Sequence, residues 1–273
     1  VKQLGGKVAY LGDGSSIRIQ ANDLTTFEID HDLSQKTKSS VMFMAPLLIR
    51  FKKAYMPIPG GCKLGTRPLD AFIENMVQLG AEYRREKGYF LEAKKLKAAK
   101  IWSWFPSVTG TENTVMLAVL TPGTTELYNA ACEPHTQDLC NMLNAMGAKI
   151  SGIGSNRLII EGVTKLHGVE WSVIPDHLDI GGYIAAALLT NGDITIKNAI
   201  PEHMQLIIQF FEKLNAKINI KGDEIIIHNN QKLECDLTVR GDIFDVKAFA
   251  WPSLPPDFVH VALVTALKAK GSF

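Results

Sequence analysis

A helix end followed by a strand recurs four times in this chain, and this repeat constrains the fold more than any other feature. The copies lie at residues 3–8, 78–83, 145–150 and 213–218, with spacings of 75, 67 and 68 residues between the aligned positions. Each copy places Gly or Asn where the end of a helix needs a left-handed backbone, and a short apolar strand follows. The chain is therefore predicted to be a tandem array of similar units.

The segments between these markers predict the content of each unit. Residues 122–130 and 191–199 resemble each other at a displacement of 69 residues, and strands at residues 157–160 and 224–227 complete hairpins. Apolar residues recur at helical spacing over residues 111–120, 137–146, 180–190 and 203–214. Each unit is roughly βαβαββ. Because one unit closes a core poorly alone, we predict an α/β (α+β) fold in which several units pack with their helices inward and their sheets outward, or the reverse.

Charge and hydropathy exclude several classes of protein. The 29 Lys and Arg residues balance 28 Asp and Glu residues, so the chain lacks the basic field of nucleic-acid binders. The longest apolar run, residues 41–49, contains Pro46 and is far shorter than the roughly 20 residues of a membrane helix. The first residues do not have the pattern of a secretion signal, so export is not expected. Four scattered cysteines form neither a disulfide framework nor a paired metal motif, which favours a cytoplasmic protein.

Cys62 lies in an unusual stretch, residues 59–70, with the sequence Pro-Gly-Gly-Cys-Lys-Leu-Gly-Thr-Arg-Pro-Leu-Asp. Glycines allow backbone angles that are closed to other residues. Lys63 and Arg67 are suited to stabilise a thiolate or an anionic ligand. A lone cysteine is usually a small core residue. Because of these neighbours, two interpretations have equal weight: Cys62 is a core residue, or it is a reactive thiol on a loop that opens and closes over a charged substrate.

Two other segments each have a functional and a structural interpretation. Residues 107–111 precede a predicted helix, so their hydroxyl and N–H groups suit a phosphate or diphosphate, or they cap that helix with Glu112 in its first turn. Asp257 follows a proline-rich segment that restricts the backbone, which makes it a candidate general base or a helix N-cap. Taken alone, the residues favour the cap in both cases.

The remaining polar and aromatic motifs favour structural roles. Residues 176–179 are predicted to form a loop that caps the next helix. The seven histidines show no i, i+4 pair with a matched carboxylate, so no zinc centre is expected. Trp102 and Trp104 have the spacing of a pair that stacks on nucleic-acid bases, but the near-neutral charge argues against that role.

Five segments together resemble the UDP-N-acetylglucosamine 1-carboxyvinyltransferases, a family of enolpyruvyl transferases. They are the cysteine loop and residues 107–113, 129–134, 144–150 and 174–176. The resemblance covers essentially the whole chain, and the PGGCxxGxRPxD pattern is its most specific part. It implies transfer of the enolpyruvyl group from phosphoenolpyruvate to the 3-hydroxyl of UDP-N-acetylglucosamine with release of phosphate, the first committed step of peptidoglycan synthesis.

The resemblance also implies an architecture. The family fold has two domains of three βαβαββ units each, an inside-out α/β barrel with the active site in the cleft between the domains. By this comparison, residues 1–175 form most of the loop-bearing domain, with the first unit incomplete, and residues 176–273 form part of the second domain. The expectation is therefore that the chain is partial.

Site residues carried over from the family by position divide into catalytic and binding groups. Cys62 is expected to act as the general acid at the phosphoenolpyruvate methylene, and Asp257 as the base that takes the proton from the 3-hydroxyl. Arg67 is expected to bind phosphoenolpyruvate. The expected lining of the uridine nucleotide site is Pro68, Leu69, Asp70, Ser107 and Val108. No metal and no organic cofactor are implied, and the implied partners are the two small-molecule substrates, without nucleic acid or membrane.

Four positions depart from the family pattern. Lys38 stands where the family has an arginine for the phosphate, which keeps the charge but loses a planar two-pronged contact. Thr109 replaces a glycine, Pro256 replaces a threonine, and Phe105 stands at a position that is usually basic. The family's N-terminal Lys-Asn pair and its C-terminal arginines have no counterpart in the chain. A divergent or truncated homologue that binds UDP-sugar without turnover therefore remains the alternative to an active transferase.

Overall fold

The structure is a computed structural model that describes residues 1–60 and 69–272. The chain divides into two compact units. Unit 1 comprises Val1–Cys132 and Leu139–Glu170, and unit 2 comprises Glu133–Asp138 and Trp171–Phe273. Each unit has its own cluster of buried apolar side chains. None of the described helices has both the length and the apolar character needed to cross a membrane.

Unit 1 carries three sheets and five α-helices in the described ranges. In chain order the elements are β1 Lys7–Leu11, β2 Ser16–Gln20, α1 His31–Lys36, α2 Met44–Phe51, β3 Lys53–Pro57, α3 Asp70–Gln78, β4 Glu82–Arg85, β5 Gly88–Glu92, β6 Lys100–Trp102, α4 Val108–Ala118, β7 Thr124–Tyr128, α5 Pro134–Ala145, β8 Lys149–Ser151 and β9 Arg157–Glu161. The sheet orders are β1-β2, β3-β5-β4 and β6-β7-β9-β8, and β6 and β7 are parallel whereas the other pairs are antiparallel. Helix α5 begins in unit 2 and continues in unit 1.

Unit 2 repeats the same plan with one sheet. Its elements are α6 His177–Thr190, β10 Ile194–Ile196, α7 Gln205–Lys213, β11 Ile218–Lys221, β12 Glu224–Ile227 and α8 Val259–Ala266. The sheet order is β10-β12-β11, so the second strand of the hairpin is central, as in β3-β5-β4. Helices α6 and α8 pack against each other, and the core beneath them includes Phe210, Phe211 and Phe258.

The predicted repeat is confirmed at its four markers. Gly5, Gly80 and Gly147 have φ values of 98°, 99° and 99°, and Asn215 has a φ of 60°, so all four have the left-handed backbone expected after a helix. A hairpin follows each of them, and the predicted α/β (α+β) class is confirmed. The sheets in the described ranges stay separate and do not join into one closed barrel of strands.

One helix boundary differs from the prediction in a way that bears on the site. Helix α4 begins at Val108, three residues before the predicted start. Ser107 caps the helix. Thr109 and Gly110 belong to it but have no apolar side chain, so the spacing of apolar residues did not predict them as helical. Glu112 consequently lies beyond the first turn, which contains no acidic residue, so the prediction that Glu112 lies in this turn is wrong.

Candidate functional site

Four predicted binding residues lie at the N-terminal ends of helices α3 and α4 in unit 1. Leu69 is the buried N-cap of α3, and Asp70 is its exposed first residue. Ser107 is the N-cap of α4, and its Oγ accepts a hydrogen bond of 3.1 Å from the backbone N–H of Gly110. Val108 is the first residue of α4. The cap predicted for Ser107 is confirmed, and the backbone N–H groups of this first turn give the end of the helix a positive character.

Helices α3 and α4 run side by side in the same direction, so these two ends meet. A β-carbon on Gly110 would lie 3.8 Å from Cα of Phe72, near the start of α3. One turn further along, Nδ2 of Asn75 donates to Oγ1 of Thr114 at 3.1 Å and to Oγ of Ser103 at 3.0 Å. Asn75 and Thr114 are buried, and a buried amide that finds its partners fixes the register of the two helices. The helix ends that carry Asp70 and Ser107 are thereby held together.

Asp70 also borders an open cleft on the outer side of α3. The cleft has a volume of about 570 Å³. Its lining is mostly apolar with two carboxylates and consists of Asp70, Ile73, Glu74, Val77, Gln78, Tyr83 and Trp104. Trp104 is 83% exposed, and Trp102 stacks on Tyr128 with ring centroids 4.2 Å apart instead of pairing with Trp104.

Lys38 begins a 3-10 helix, Lys38–Phe43, that leads into α2. This helix packs against α4. Helix α2, which follows it, also contacts α4, because the backbone N–H of Ala45 in α2 donates to Oδ1 of Asn113 in α4 at 3.3 Å. Thr37 caps the 3-10 helix through a hydrogen bond from the N–H of Ser39 to its Oγ1. Lys38 is half-buried. The 3-10 helix that carries it contacts α4, the helix that Ser107 caps and that begins at Val108.

The described chain enters the cysteine loop at Gly60, which lies against the end of α1. Its N–H donates to the carbonyl oxygen of Ser34 at 3.0 Å. A β-carbon on Gly60 would overlap the carbonyl oxygen of Gln35, so only glycine fits here. Residues 61–68 lie outside the described residues, and with them the predicted site residues Cys62, Arg67 and Pro68.

Asp257 lies in unit 2, in a 3-10 helix, Pro256–Phe258, directly before α8. The N-cap of α8 is Phe258, without a side-chain hydrogen bond, so the alternative role of Asp257 as a helix cap is wrong. The carboxylate is exposed, and no hydrogen bond or ion pair to another described residue holds it. The next residue, Phe258, is fully buried and anchors the segment. The backbone that carries this carboxylate is thus fixed in place, while the carboxylate itself faces solvent.

Sequence reasoning missed a ring cluster beside this segment in unit 2. The ring centroid of Trp251 lies 5.6 Å from that of His177 and 6.3 Å from that of His203, in edge contacts. His135 stacks on His177 at 6.4 Å. Burial lowers the pKa of His177 and of His203. These residues are distant in sequence, so no local pattern reveals the cluster. The cap predicted within residues 176–179 is confirmed at Asp176 by a 2.8 Å hydrogen bond from the N–H of Leu178. The loop predicted there is wrong, because α6 begins at His177.

Burial disfavours nucleophilic chemistry at the other three cysteines. Burial raises the pKa of Cys140 to about 12, and burial also raises the pKa of Cys235. Cys132 is 9% exposed. In residues 1–60 and 69–272, no group of three or more His, Cys, Asp or Glu side chains is arranged to hold a metal ion.

Comparison with known sequences gives a family match over nearly the whole chain. The family described as EPSP synthase (3-phosphoshikimate 1-carboxyvinyltransferase) matches residues 1–269. The chain is 41% identical over 278 aligned residues to the UDP-N-acetylglucosamine 1-carboxyvinyltransferase of Bacteroides thetaiotaomicron, and 38% identical over 273 to that of Borreliella burgdorferi. Each alignment covers 100% of this chain and 64% of the relative, so the chain spans less than two thirds of these relatives' length.

Solved structures share the fold at low sequence identity. The enolpyruvyl transferase NikO from Streptomyces tendae superposes with a TM-score of 0.82 at 18% identity, covering 99% of this chain and 63% of that one. EPSP synthase from Acinetobacter baumannii has a TM-score of 0.64 at 17% identity, with 99% and 62% covered. At such identities these structures support the fold alone.

Proposed function

Because the chain belongs to the EPSP synthase family of carboxyvinyltransferases, we propose that the protein transfers the enolpyruvyl group of phosphoenolpyruvate to the 3-hydroxyl of UDP-N-acetylglucosamine and releases phosphate. The observation that carries the proposal is the 41% identity, over all of this chain, to a relative named for that reaction. The proposed role is in peptidoglycan synthesis, and the proposed partners are these two small molecules.

The proposed chemistry divides between an acid and a base. Asp257 takes the proton from the 3-hydroxyl as that oxygen bonds to C2 of phosphoenolpyruvate, and Cys62 gives a proton to C3, which forms a tetrahedral intermediate. The intermediate then loses a proton from C3, the C2–O bond to phosphate breaks, and the double bond is restored. General acid and general base catalysis each contribute about 10²–10⁴ in rate.

The state of Asp257 supports its part in this proposal. A base must reach the proton that it abstracts, and this carboxylate is exposed and has no hydrogen bond or ion pair to a described residue. Pro256 before it and the buried Phe258 after it limit the conformations available to the backbone. We therefore propose Asp257 as the base and Cys62 as the acid.

The paired helix ends of unit 1 support the proposed nucleotide site. The first-turn N–H groups of α4 offer hydrogen-bond donors to a diphosphate, while Leu69 and Val108 offer apolar contacts and Asp70 an acceptor for a base N–H. Pro68 and Arg67 complete the proposed set, with Arg67 and Lys38 on the phosphate groups of the substrates. We also propose that units 1 and 2 belong to the loop-bearing domain and the second domain of the full-length protein.

Released phosphate, measured with both substrates and the full-length protein, tests the function. Cys62→Ala and Asp257→Asn are each expected to lower kcat by about 10²–10⁴ while UDP-N-acetylglucosamine still binds. Matched controls are Cys235→Ala and Asp245→Asn. Asp245 is an exposed carboxylate of unit 2 that pairs with Lys247 at 3.7 Å on the surface, so its loss is expected to be nearly neutral. Binding without phosphate release by the wild type would favour the non-catalytic alternative.

A further inference from the structure

Trp251 lies at the start of the segment that ends in Asp257, and two histidines from other elements contact its ring. His177 is the first residue of α6 and is 5% exposed. His203 belongs to the 3-10 helix Pro201–Met204, which precedes α7. Both rings meet the indole edge-on, at interplanar angles of 76° and 86°. Edge-to-face contacts between rings are directional, so they define where the half-buried indole lies.

The segment between Trp251 and Asp257 is stiff. Three of its five intervening residues, Pro252, Pro255 and Pro256, have a fixed φ. Leu254 is 5% exposed, and its carbonyl oxygen accepts a hydrogen bond of 3.1 Å from the N–H of Phe249. Because few backbone torsions are free, a shift of the indole is transmitted along the segment to the carboxylate.

The other end of the segment is anchored separately. Phe258 is fully buried and meets Phe210 and Phe211 in edge contacts at 5.8 Å and 5.7 Å. Its N–H donates to the carbonyl oxygen of Pro255 at 2.9 Å. Asp257 itself has no hydrogen bond or ion pair to a described residue, so its position depends on these two anchors.

We infer that Trp251, held between His177 and His203, is a positioning residue that sets the place of the Asp257 carboxylate. The inference rests on the proposed function, in which Asp257 is the base. It assigns to the indole a role that acts through the backbone, without contact to the substrate. The position of the exposed Asp257 carboxylate then depends on the rings that contact Trp251, although three prolines separate Trp251 from Asp257 in the sequence.

The test compares ring variants of the full-length protein in the phosphate-release assay. Trp251→Ala is expected to lower kcat by about 10–100-fold with the KM for UDP-N-acetylglucosamine changed less than about threefold, because a misplaced base slows proton removal and leaves binding intact. Trp251→Phe keeps a ring between the histidines and is expected to restore most of kcat. Phe249→Ala is the control, because Phe249 lies two residues before Trp251 and its side chain is 61% exposed.

The outcomes separate this inference from the proposed function. A wild type that releases no phosphate overturns the proposed function and the inference with it. An active wild type in which Trp251→Ala keeps kcat, or in which Phe249→Ala loses as much, overturns the inference alone. Should Trp251→Ala not fold, the double variant His177→Gln/His203→Gln keeps the Trp251 side chain but removes the two rings that hold it. It is expected to show the same loss of kcat at a nearly constant KM. An unchanged kcat there also overturns it.

Discussion

The β-carbon that Gly181 lacks would lie 2.6 Å from Cε2 of Phe258, so helix α6 lies too close to the residue after Asp257 to carry a side chain at position 181. Phe258 has no room to retreat, because it is fully buried against Phe210 and Phe211. A core aromatic ring in contact with a glycine thus fixes one end of the segment that carries the proposed base.

Gly181→Ala is expected to destabilise unit 2 by about 1–3 kcal/mol, because the added methyl group forces Phe258 or α6 to move. It is also expected to lower kcat, since that movement displaces Asp257. Thermal unfolding and phosphate release measure the two effects. Gly182→Ala is the matched control, because its β-carbon would meet nothing within 4 Å, and removing a helical glycine there is expected to stabilise the protein by about 0.5–1 kcal/mol. Equal effects of the two variants would contradict the explanation.

Gly60→Ala is expected to disturb the entry to the cysteine loop. The new β-carbon would overlap the carbonyl oxygen of Gln35, which is backbone and yields only if α1 or the loop shifts. We expect a loss of about 1–3 kcal/mol in stability and slower phosphate release. Gly168→Ala is the control, because nothing lies within 4 Å of its β-carbon. A Gly60→Ala protein with wild-type melting temperature and rate would refute this role of Gly60.

The repeat is predictable because its signals are local, whereas much of the site depends on distant contacts. The left-handed residues Gly80 and Asn215 mark helix ends within a few positions of the strands that follow. The contact between His177 and Trp251 joins residues far apart in the chain, and the sequence next to either residue contains no pattern that predicts the contact. The sequence explains Gly60 only as part of a glycine-rich loop, because its close approach to Gln35 is visible only once α1 is folded.

Acid is expected to destabilise unit 2 through His177 and His203. Burial lowers the pKa of both side chains, and for His177 the charges on His135 and His203 lower it further while Asp176 opposes the shift. For His203, Glu202 and Asp138 oppose the effect of burial. The unfolded chain then binds more protons than the folded one below a pH of about 6.5, so stability falls as the pH drops from there toward the lowered pKa values.

The measurement is the melting temperature between pH 7.5 and pH 5. Replacing His177 by Gln removes one of the two groups, so the acid-induced fall in Tm is expected to be smaller by about 2–4 °C than in the wild type. The carboxylates are the same in both proteins, so their contribution to the fall in Tm cancels when the wild type and the variant are compared. A fall of equal size in wild type and His177→Gln would show that this histidine is not coupled to folding.

An electrophilic epoxide that resembles phosphoenolpyruvate is expected to label Cys62 before the other three cysteines. The thiolate is the nucleophile, and burial raises the pKa of Cys140 to about 12 and also raises the pKa of Cys235, so both thiols are less reactive. Cys132 is shielded by burial. In the sequence Cys62 is flanked by Lys63 and Arg67, whose charges favour a thiolate and an anionic reagent.

Peptide mapping after partial labelling identifies the first site, and Cys62→Ser is expected to lose the fast phase only. Arg67→Ala separates the two effects of the cation. If Arg67 binds the reagent, the labelling rate saturates at a higher concentration of epoxide, whereas a simple neutral alkylating agent reacts at nearly the wild-type rate. If Arg67 lowers the thiol pKa, both reagents slow equally. Labelling of Cys132, Cys140 or Cys235 ahead of Cys62 would remove the chemical basis for assigning the general acid to this loop.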